Sequence, residues 1–266
     1  MIQIPTQLPC ESLNIQSIIH HLSPTIHRTI VEDRGNTLTF CISLILQNYS
    51  KMMYGGVSPQ ECPLYSYQDE SMALRMPYST LYSWFRGSRT KPVIAVSTSK
   101  EPLNFLQLSE AFAINYMRKN LGISLPRIRE VSLFLRSELD IAYPLINPQI
   151  RVGGDVYFKY ARKILLNATR RGQIESVDLI GKYINRLEFN NENLPDVLYP
   201  WVSGKESKSI RIDPRIRFGQ PTIAGTGVTV ETVIDLFQAG ESLENIATGY
   251  QIELTKVKDA VAYASS

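Results

Sequence analysis

The run from Asp213 to Ala264, DPRIRFGQPTIAGTGVTVETVIDLFQAGESLENIATGYQIELTKVKDAVAYA, leaves a folding chain the fewest choices. Its first part, Arg217 to Val230, is apolar but interrupted by Gly219, Pro221, Gly225 and Gly227, a pattern that suits consecutive tight turns and not a helix. Three short helices are predicted after it. Thr229 can cap the first with its hydroxyl, and Gly240 can end it in the left-handed conformation. Between them Val230, Val233, Ile234 and Phe237 form one apolar face, with Phe237 expected to pack inward. Ser242 caps a second helix carrying Leu243, Ile246 and Ala247, which Gly249 and Tyr250 break. Glu253 to Ala264 is the third, and its residues Leu254, Val257, Ala260, Val261 and Ala264 recur at three- and four-residue steps. Residues 209–266 therefore read as a three-helix domain.

A second patterned region lies upstream, over residues 53–140. In YSYQDESMALRMPYSTLYSWFRG, Ser66 can cap a helix reaching to about Leu74, a turn follows at Arg75 to Pro77, and Tyr78 to Arg86 forms another short helix. Leu81, Trp84 and Phe85 would face inward, leaving Ser79, Thr80, Tyr82, Ser83 and Arg86 outward. This is the grammar of a helix-turn-helix, whose second helix presents a polar face to base edges in a major groove about 12 Å wide. The following GSRTKPVIAVS supplies Arg89 and Lys91 on a basic turn and a β-prone run, Val93 to Val96, which reads as a wing. Ser79, Thr80, Tyr82, Ser83, Arg86, Arg89 and Lys91 are the candidate DNA-binding residues. Two longer helices are predicted next. The first, Leu103 to Asn120, has the broad apolar arc of a core or dimer contact, and the second opens at Ser124 with the stripe Leu125, Ile128, Val131, Leu135 and Leu139.

The remaining segments are less patterned. Residues 1–52 show no sustained period and read as a poorly ordered extension or a misassigned start, with Met52 and Met53 just before the patterned sequence. Residues 141–208 read as a linking region with small β elements: a hairpin over Ile150 to Tyr160 turning at Gly153 and Gly154, a strand and basic turn over Lys163 to Gln173, and a helix over Ile174 to Leu187. An extended stretch at Leu194 to Val202 and a flexible polar loop at Ser203 to Ser209 complete it. The fold class expected is mainly α with small β elements, an N-terminal winged helix-turn-helix and a C-terminal three-helix domain.

At 266 residues, with 44% hydrophobic and 20% charged, the chain has the bulk of two folded units and an ordinary globular composition. No apolar run approaches the roughly 20 residues that cross a bilayer, the longest candidate being the short Ile42 to Leu46 segment, so a soluble protein is expected. Three cysteines, Cys10, Cys41 and Cys62, form no CxxC pair and point to a reducing cytoplasm.

Enzymatic chemistry finds little footing in this sequence. His20, His21 and His27 all lie in the unpatterned extension, leaving both patterned regions without an imidazole for acid–base work or zinc. Gly225-Thr226-Gly227 lacks the lysine and spacing of a phosphate loop. The carboxylates Asp155, Asp213 and Asp235 are dispersed, and Cys62 has no partner to activate it. No catalytic residue, metal site or cofactor is expected. The C-terminal helices carry Glu231, Asp235, Glu241, Glu244, Glu253 and Asp259 beside Lys256 and Lys258, a mixed face better suited to protein than to phosphate.

The string FGQPTIAGTGV, an apolar helix, AGESLENIATGY and a final VKDAVAYA resemble domain-of-unknown-function family 433, a small helical domain of prokaryotic antitoxins. Short members commonly carry an arginine where this chain has Gly227, whereas the glycine form resembles longer, two-domain members similar to VapB-type antitoxins. Over Tyr65 to Leu139 the chain resembles the mercury-resistance-regulator (MerR) type of winged helix. Together these resemblances imply a cytoplasmic, non-enzymatic antitoxin, a dimer, that binds operator DNA and inhibits a PIN-type ribonuclease toxin, with Phe218 and Tyr250 as partner-binding residues. The competing expectation is a nucleic-acid-processing enzyme, or its accessory subunit, whose carboxylates converge only on folding.

Overall fold

A computed structural model describes residues 54–87, 91–94, 102–152, 156–167, 177–202 and 207–265. The chain divides into two units between Gly56 and Val57, and the second, Val57–Ser266, holds nearly all of the described residues. Its helices are α1 (Tyr67–Ala73), α2 (Tyr78–Arg86), α3 (Phe105–Lys119), α4 (Leu125–Leu139), α5 (Gln149–Val152), α6 (Val156–Asn167) and α7 (Val177–Ile184), then α8 (Val230–Gln238), α9 (Leu243–Gly249) and α10 (Leu254–Ala264). Between α7 and α8 lie two antiparallel pairs, β1 (Leu187–Phe189) with β2 (Pro195–Leu198) and β3 (Ile210–Arg211) with β4 (Thr222–Ile223). Leu198 and Ile212 exchange backbone hydrogen bonds, so the second pair is tied to the end of the first.

The helix starts follow the capping residues. Ser66 and Asp69 cap one another reciprocally at α1, as Asn104 and Gln107 do at α3. Thr229 and Ser242 hydroxyls accept the amides of Thr232 and Asn245 at α8 and α9, and Gly240 takes φ +98° where α8 stops.

Among the described residues two apolar cores result. The larger joins α1 and α2 (Leu81, Trp84, Phe85) to α3 and α4 (Phe105, Leu108, Ile114, Met117, Ile128, Val131, Leu135). It also takes in Leu145, Ile146, Ile150, Ala161, Leu165, Tyr183, Leu187 and Leu198. Several residues of the 141–208 stretch, from Leu145 to Leu198, therefore belong to this core. The smaller core packs α8, α9 and α10 over Val202, Ile210 and Ile223.

Several local expectations are overturned. The hairpin at Ile150 to Tyr160 is absent: Gln149–Val152 and Val156–Asn167 are helical on either side of residues 153–155, which lie outside the described set. The strand expected from Lys163 belongs to α6, because Ala161 and Leu165 stand four residues apart and both are buried. Leu187, predicted helical, begins β1. Ser207 and Ser209 are not a solvated loop, since both hydroxyls donate to the buried Asp259 at 2.9 and 2.7 Å. Asp259 is thus removed from the exposed face on which it was placed.

Two buried carboxyls sit in the larger core. Glu110 accepts from Arg136 Nη2 at 2.8 Å and from the Leu145 amide at 3.4 Å, and burial pushes its pKa up to about 7 against the opposing pull of Arg136. A raised pKa means that the folded state holds this proton more tightly than the unfolded chain. The stabilisation from protonation is complete below the ordinary carboxylate range and is lost as pH rises to about 7. Glu110→Gln is therefore expected to flatten the fall in melting temperature between about pH 5 and 7; an unchanged slope would refute this assignment. Glu70 in α1 is also buried, its carboxylate oxygens make no hydrogen bond among the described residues, and burial holds its pKa well above the usual range.

Candidate functional site

The α1–α2 pair carries the predicted reading surface. Pro77 pre-sets the extended entry to α2, which buries Leu81, Trp84 and Phe85 and leaves Ser79, Tyr82 and Ser83 exposed, with Thr80 and Arg86 half-buried. The aromatic side chains outside this core form a small platform. Tyr78 and Tyr82 stack at 5.8 Å between ring centroids, and Tyr67 meets Tyr82 and Phe85 edge-on at 5.3 and 5.4 Å. Arg86 lies over the Tyr82 ring at 5.2 Å and beside the Tyr67 phenol, whose pKa burial raises and Arg86 opposes. Ser83 spends its hydroxyl proton on the Thr80 carbonyl at 2.7 Å, leaving its oxygen as an acceptor.

Beyond α2, Arg89 and residues Ala95 and Val96 of the expected wing lie outside the described residues. Val93 and Ile94 form a bend, not a strand; both are buried, and the Val93 amide donates to the Trp84 carbonyl at 2.9 Å. Lys91 is exposed. Its carbonyl accepts from Arg129 Nε of α4 at 2.8 Å, which brings a guanidinium 38 residues distant to the same basic turn. Nothing local in the sequence marks Arg129, since only the packing of α4 places it there. Arg136 pins the segment as well, donating to the Val93 carbonyl at 2.8 Å.

The second candidate surface surrounds Asp213 to Tyr250. Asp213 is buried and accepts from the backbone amide and guanidinium of Arg215 at 2.8–2.9 Å, and from Arg211. Arg215 also reaches Asp196 at 3.1 Å, and Gln60 donates to the other oxygen of Asp196. This knot anchors a turn in which Arg217, Phe218 and Gly219 all take positive φ, 49°, 52° and 77°. Such backbone is strained for residues with a Cβ. Arg217 Nε donates to the Gly227 carbonyl at 3.0 Å, and Phe218 is held 65% exposed at the tip. Tyr250, at the end of α9, is 42% exposed. Phe237 contradicts its expected inward packing: it is 43% exposed on α8, because Val230 and Val233 fill the core face without it. On α8 to α10 the carboxylates Glu231, Asp235, Glu241, Glu244 and Glu253 are exposed, whereas Lys256 turns to the Ala224 carbonyl at 3.2 Å.

Among the described residues no group of His, Cys, Asp and Glu could hold a metal ion, and no helix is long and apolar enough to cross a membrane. Cys62 is half-buried and burial raises its thiol pKa, the reverse of nucleophile activation. The three histidines lie outside the described residues.

Residues 210–264 match the family DUF433, described as a protein of unknown function. Over 226 residues, 76% of this chain and 93% of the relative, the chain is 24% identical to a Mycobacterium tuberculosis protein named "Putative antitoxin VapB45". The X-ray crystal structure of Rv2018 from Mycobacterium tuberculosis has the same fold, with a TM-score of 0.60 at 24% sequence identity, covering 75% of this chain and 97% of that one.

Proposed function

We propose that the chain is a DNA-binding antitoxin of a toxin–antitoxin pair, acting as a homodimer in the cytoplasm, with no catalytic residue or cofactor of its own. The likeness to the protein named "Putative antitoxin VapB45" along 93% of that protein's length is the observation that carries the reading. In it, α1 and α2 form a helix-turn-helix that lays Ser79, Thr80, Tyr82 and Ser83 against base edges, while Arg86, Arg89, Lys91 and Arg129 contact phosphates beside the groove. The region 209–266 docks a PIN-type ribonuclease toxin through Phe218 and Tyr250. Its exposed acidic helices favour a basic protein surface over a nucleic acid.

The test has two arms, both on the full chain. For DNA, Lys91→Ala and Arg129→Ala are each expected to weaken binding to the duplex upstream of the gene and to flatten its salt dependence by about one phosphate contact. An unchanged slope in both would remove the DNA assignment. For the toxin, Phe218→Ala and Tyr250→Ala should each weaken inhibition of the ribonuclease encoded next to this gene by about 1–2 kcal/mol or more while leaving DNA affinity intact. Inhibition at wild-type strength in both variants would place the toxin elsewhere. The competing enzymatic reading is not favoured by the carboxylates that do converge: Asp196 and Asp213 meet on Arg215, and Glu110 meets Arg136, so each is already engaged by a guanidinium of this chain.

A further inference from the structure

Three consecutive carbonyls in the turn between α1 and α2 are taken by side chains from distant helices, and one of these belongs to the last helix. Tyr263 Oη of α10 donates to the Ala73 carbonyl at 2.8 Å, Asn115 Nδ2 of α3 donates to Leu74 at 3.2 Å, and Lys119 Nζ of α3 donates to Arg75 at 3.2 Å. In the opposite direction Arg75 Nη1 donates to the Ala264 carbonyl at 2.9 Å, and its guanidinium lies 4.2 Å from the centroid of the Tyr263 ring. Tyr263 is only 3% exposed.

The turn itself closes α1 in the manner of a Schellman stop, with the Arg75 amide donating to Met72 and the Met76 amide to Ser71. Such a stop calls for a left-handed residue, and glycine adopts that conformation without strain. This chain has Arg75 there, at φ 52°. The strain is offset by what the arginine side chain reaches, and what it reaches is α10.

We infer that Tyr263 and Arg75 form a latch through which the C-terminal turn of α10 positions α2, so that sequence-specific DNA binding by the N-terminal helices requires the C-terminal helix in place. The inference rests on the DNA-reading role proposed for α2. Leu81, Trp84 and Phe85 hold the inner face of α2, but its root at Pro77 follows directly from the latched turn. A nine-residue helix is about 13 Å long, so a tilt of about 10° at the root displaces its far end by about 2 Å. That exceeds the roughly 0.5 Å window within which hydrogen bonds to base edges form. Tyr263 and Arg75 thus act as positioning residues, not as contacts to the duplex.

The test compares three variants of the full chain. Tyr263→Phe removes one hydroxyl and keeps the ring under Arg75. Arg75→Gly opens the latch from the other side while relieving the left-handed strain, which protects folding. Val257→Ala loosens the core of α8 to α10 without touching the turn. Binding is measured to the duplex upstream of the gene and to an unrelated duplex of equal length. Loss of one hydrogen bond corresponds to about fivefold, so Tyr263→Phe and Arg75→Gly are each expected to weaken binding to the upstream duplex by about fivefold or more. Binding to the unrelated duplex should stay within about twofold of wild type, because phosphate attraction tolerates a tilted helix. Val257→Ala should lower the melting temperature yet leave both affinities unchanged. Wild-type affinity in both latch variants, or an equal loss in Val257→Ala, overturns the inference.

Amide exchange at Met76 supplies a readout that needs no DNA. It should be faster in Tyr263→Phe than in wild type and unaltered in Val257→Ala. If the wild-type chain discriminates no duplex, the DNA-binding reading fails while exchange still decides the latch, and unchanged exchange at Met76 in Tyr263→Phe overturns it.

Discussion

Gly219→Ala is expected to lower the melting temperature by about 10 °C, corresponding to a loss of about 3 kcal/mol for a chain of this size. A Cβ built on Gly219 would stand 1.9 Å from Tyr65 Oη and 2.6 Å from Tyr65 Cζ, and the residue sits at φ +77°. Two penalties combine there: a left-handed backbone and a collision with a ring that is itself buried in the larger core. Two neighbouring glycines separate these terms. Gly225 has φ +86° but open space around its Cβ position, so Gly225→Ala should lose only about 1 kcal/mol. Gly227 has open space and no positive φ, so Gly227→Ala should be neutral or slightly stabilising, within about 0.5 kcal/mol. Thermal melts of the three variants check the order, and a Gly219→Ala protein that melts with Gly227→Ala would show that Tyr65 does not pack against Gly219.

The second large effect is expected at Asp213. Its carboxylate is the common acceptor for Arg211, for the Arg215 guanidinium and for the Arg215 amide, and it lies almost wholly out of solvent. The bond to Asp213 is also the leading reason that the pKa of Arg215 is raised. Asp213→Ala leaves two guanidinium groups facing each other across an emptied site and releases the turn that carries Phe218. Removing one partner of a buried pair typically costs about 3–5 kcal/mol, and Arg215 is exposed enough that the lower end applies. Denaturant titration of Asp213→Ala should therefore show a loss of about 3 kcal/mol. A loss below about 1 kcal/mol would mean that the cluster behaves as a solvated surface pair. Asp213→Asn, which keeps the shape and one acceptor, should fall between.

How far the chain could be read residue by residue depended on whether a signal was local. Ser66, Thr229, Ser242 and Gly240 act on their own helix ends, so the limits of α1, α8 and α9 were legible in the order of residues. The apolar steps of α3, α4 and α10 were legible for the same reason. So was the division of α2 into an inner face of Leu81, Trp84 and Phe85 and an outer polar one. Whether a short apolar segment becomes strand or helix was not decided locally. Val156–Asn167 is rich in aromatic and β-branched residues, yet it is helical because helix geometry brings Ala161 and Leu165 together onto the first core.

The same limit governs the candidate surfaces. Phe237 satisfies the apolar period of α8 but is left outside, because period places a side chain on a stripe while only the partner's width sets how much of the stripe is covered. Arg129 reaches Lys91, Arg211 and Arg215 close on Asp213, and Tyr263 reaches Ala73 across 190 positions of sequence. Each pairing satisfies a charge or a backbone carbonyl that the donor's own segment could not reach. The local residues therefore determined which helices form and which faces they offer. The packing of distant helices against one another decided which of those faces remain open and which turns are held.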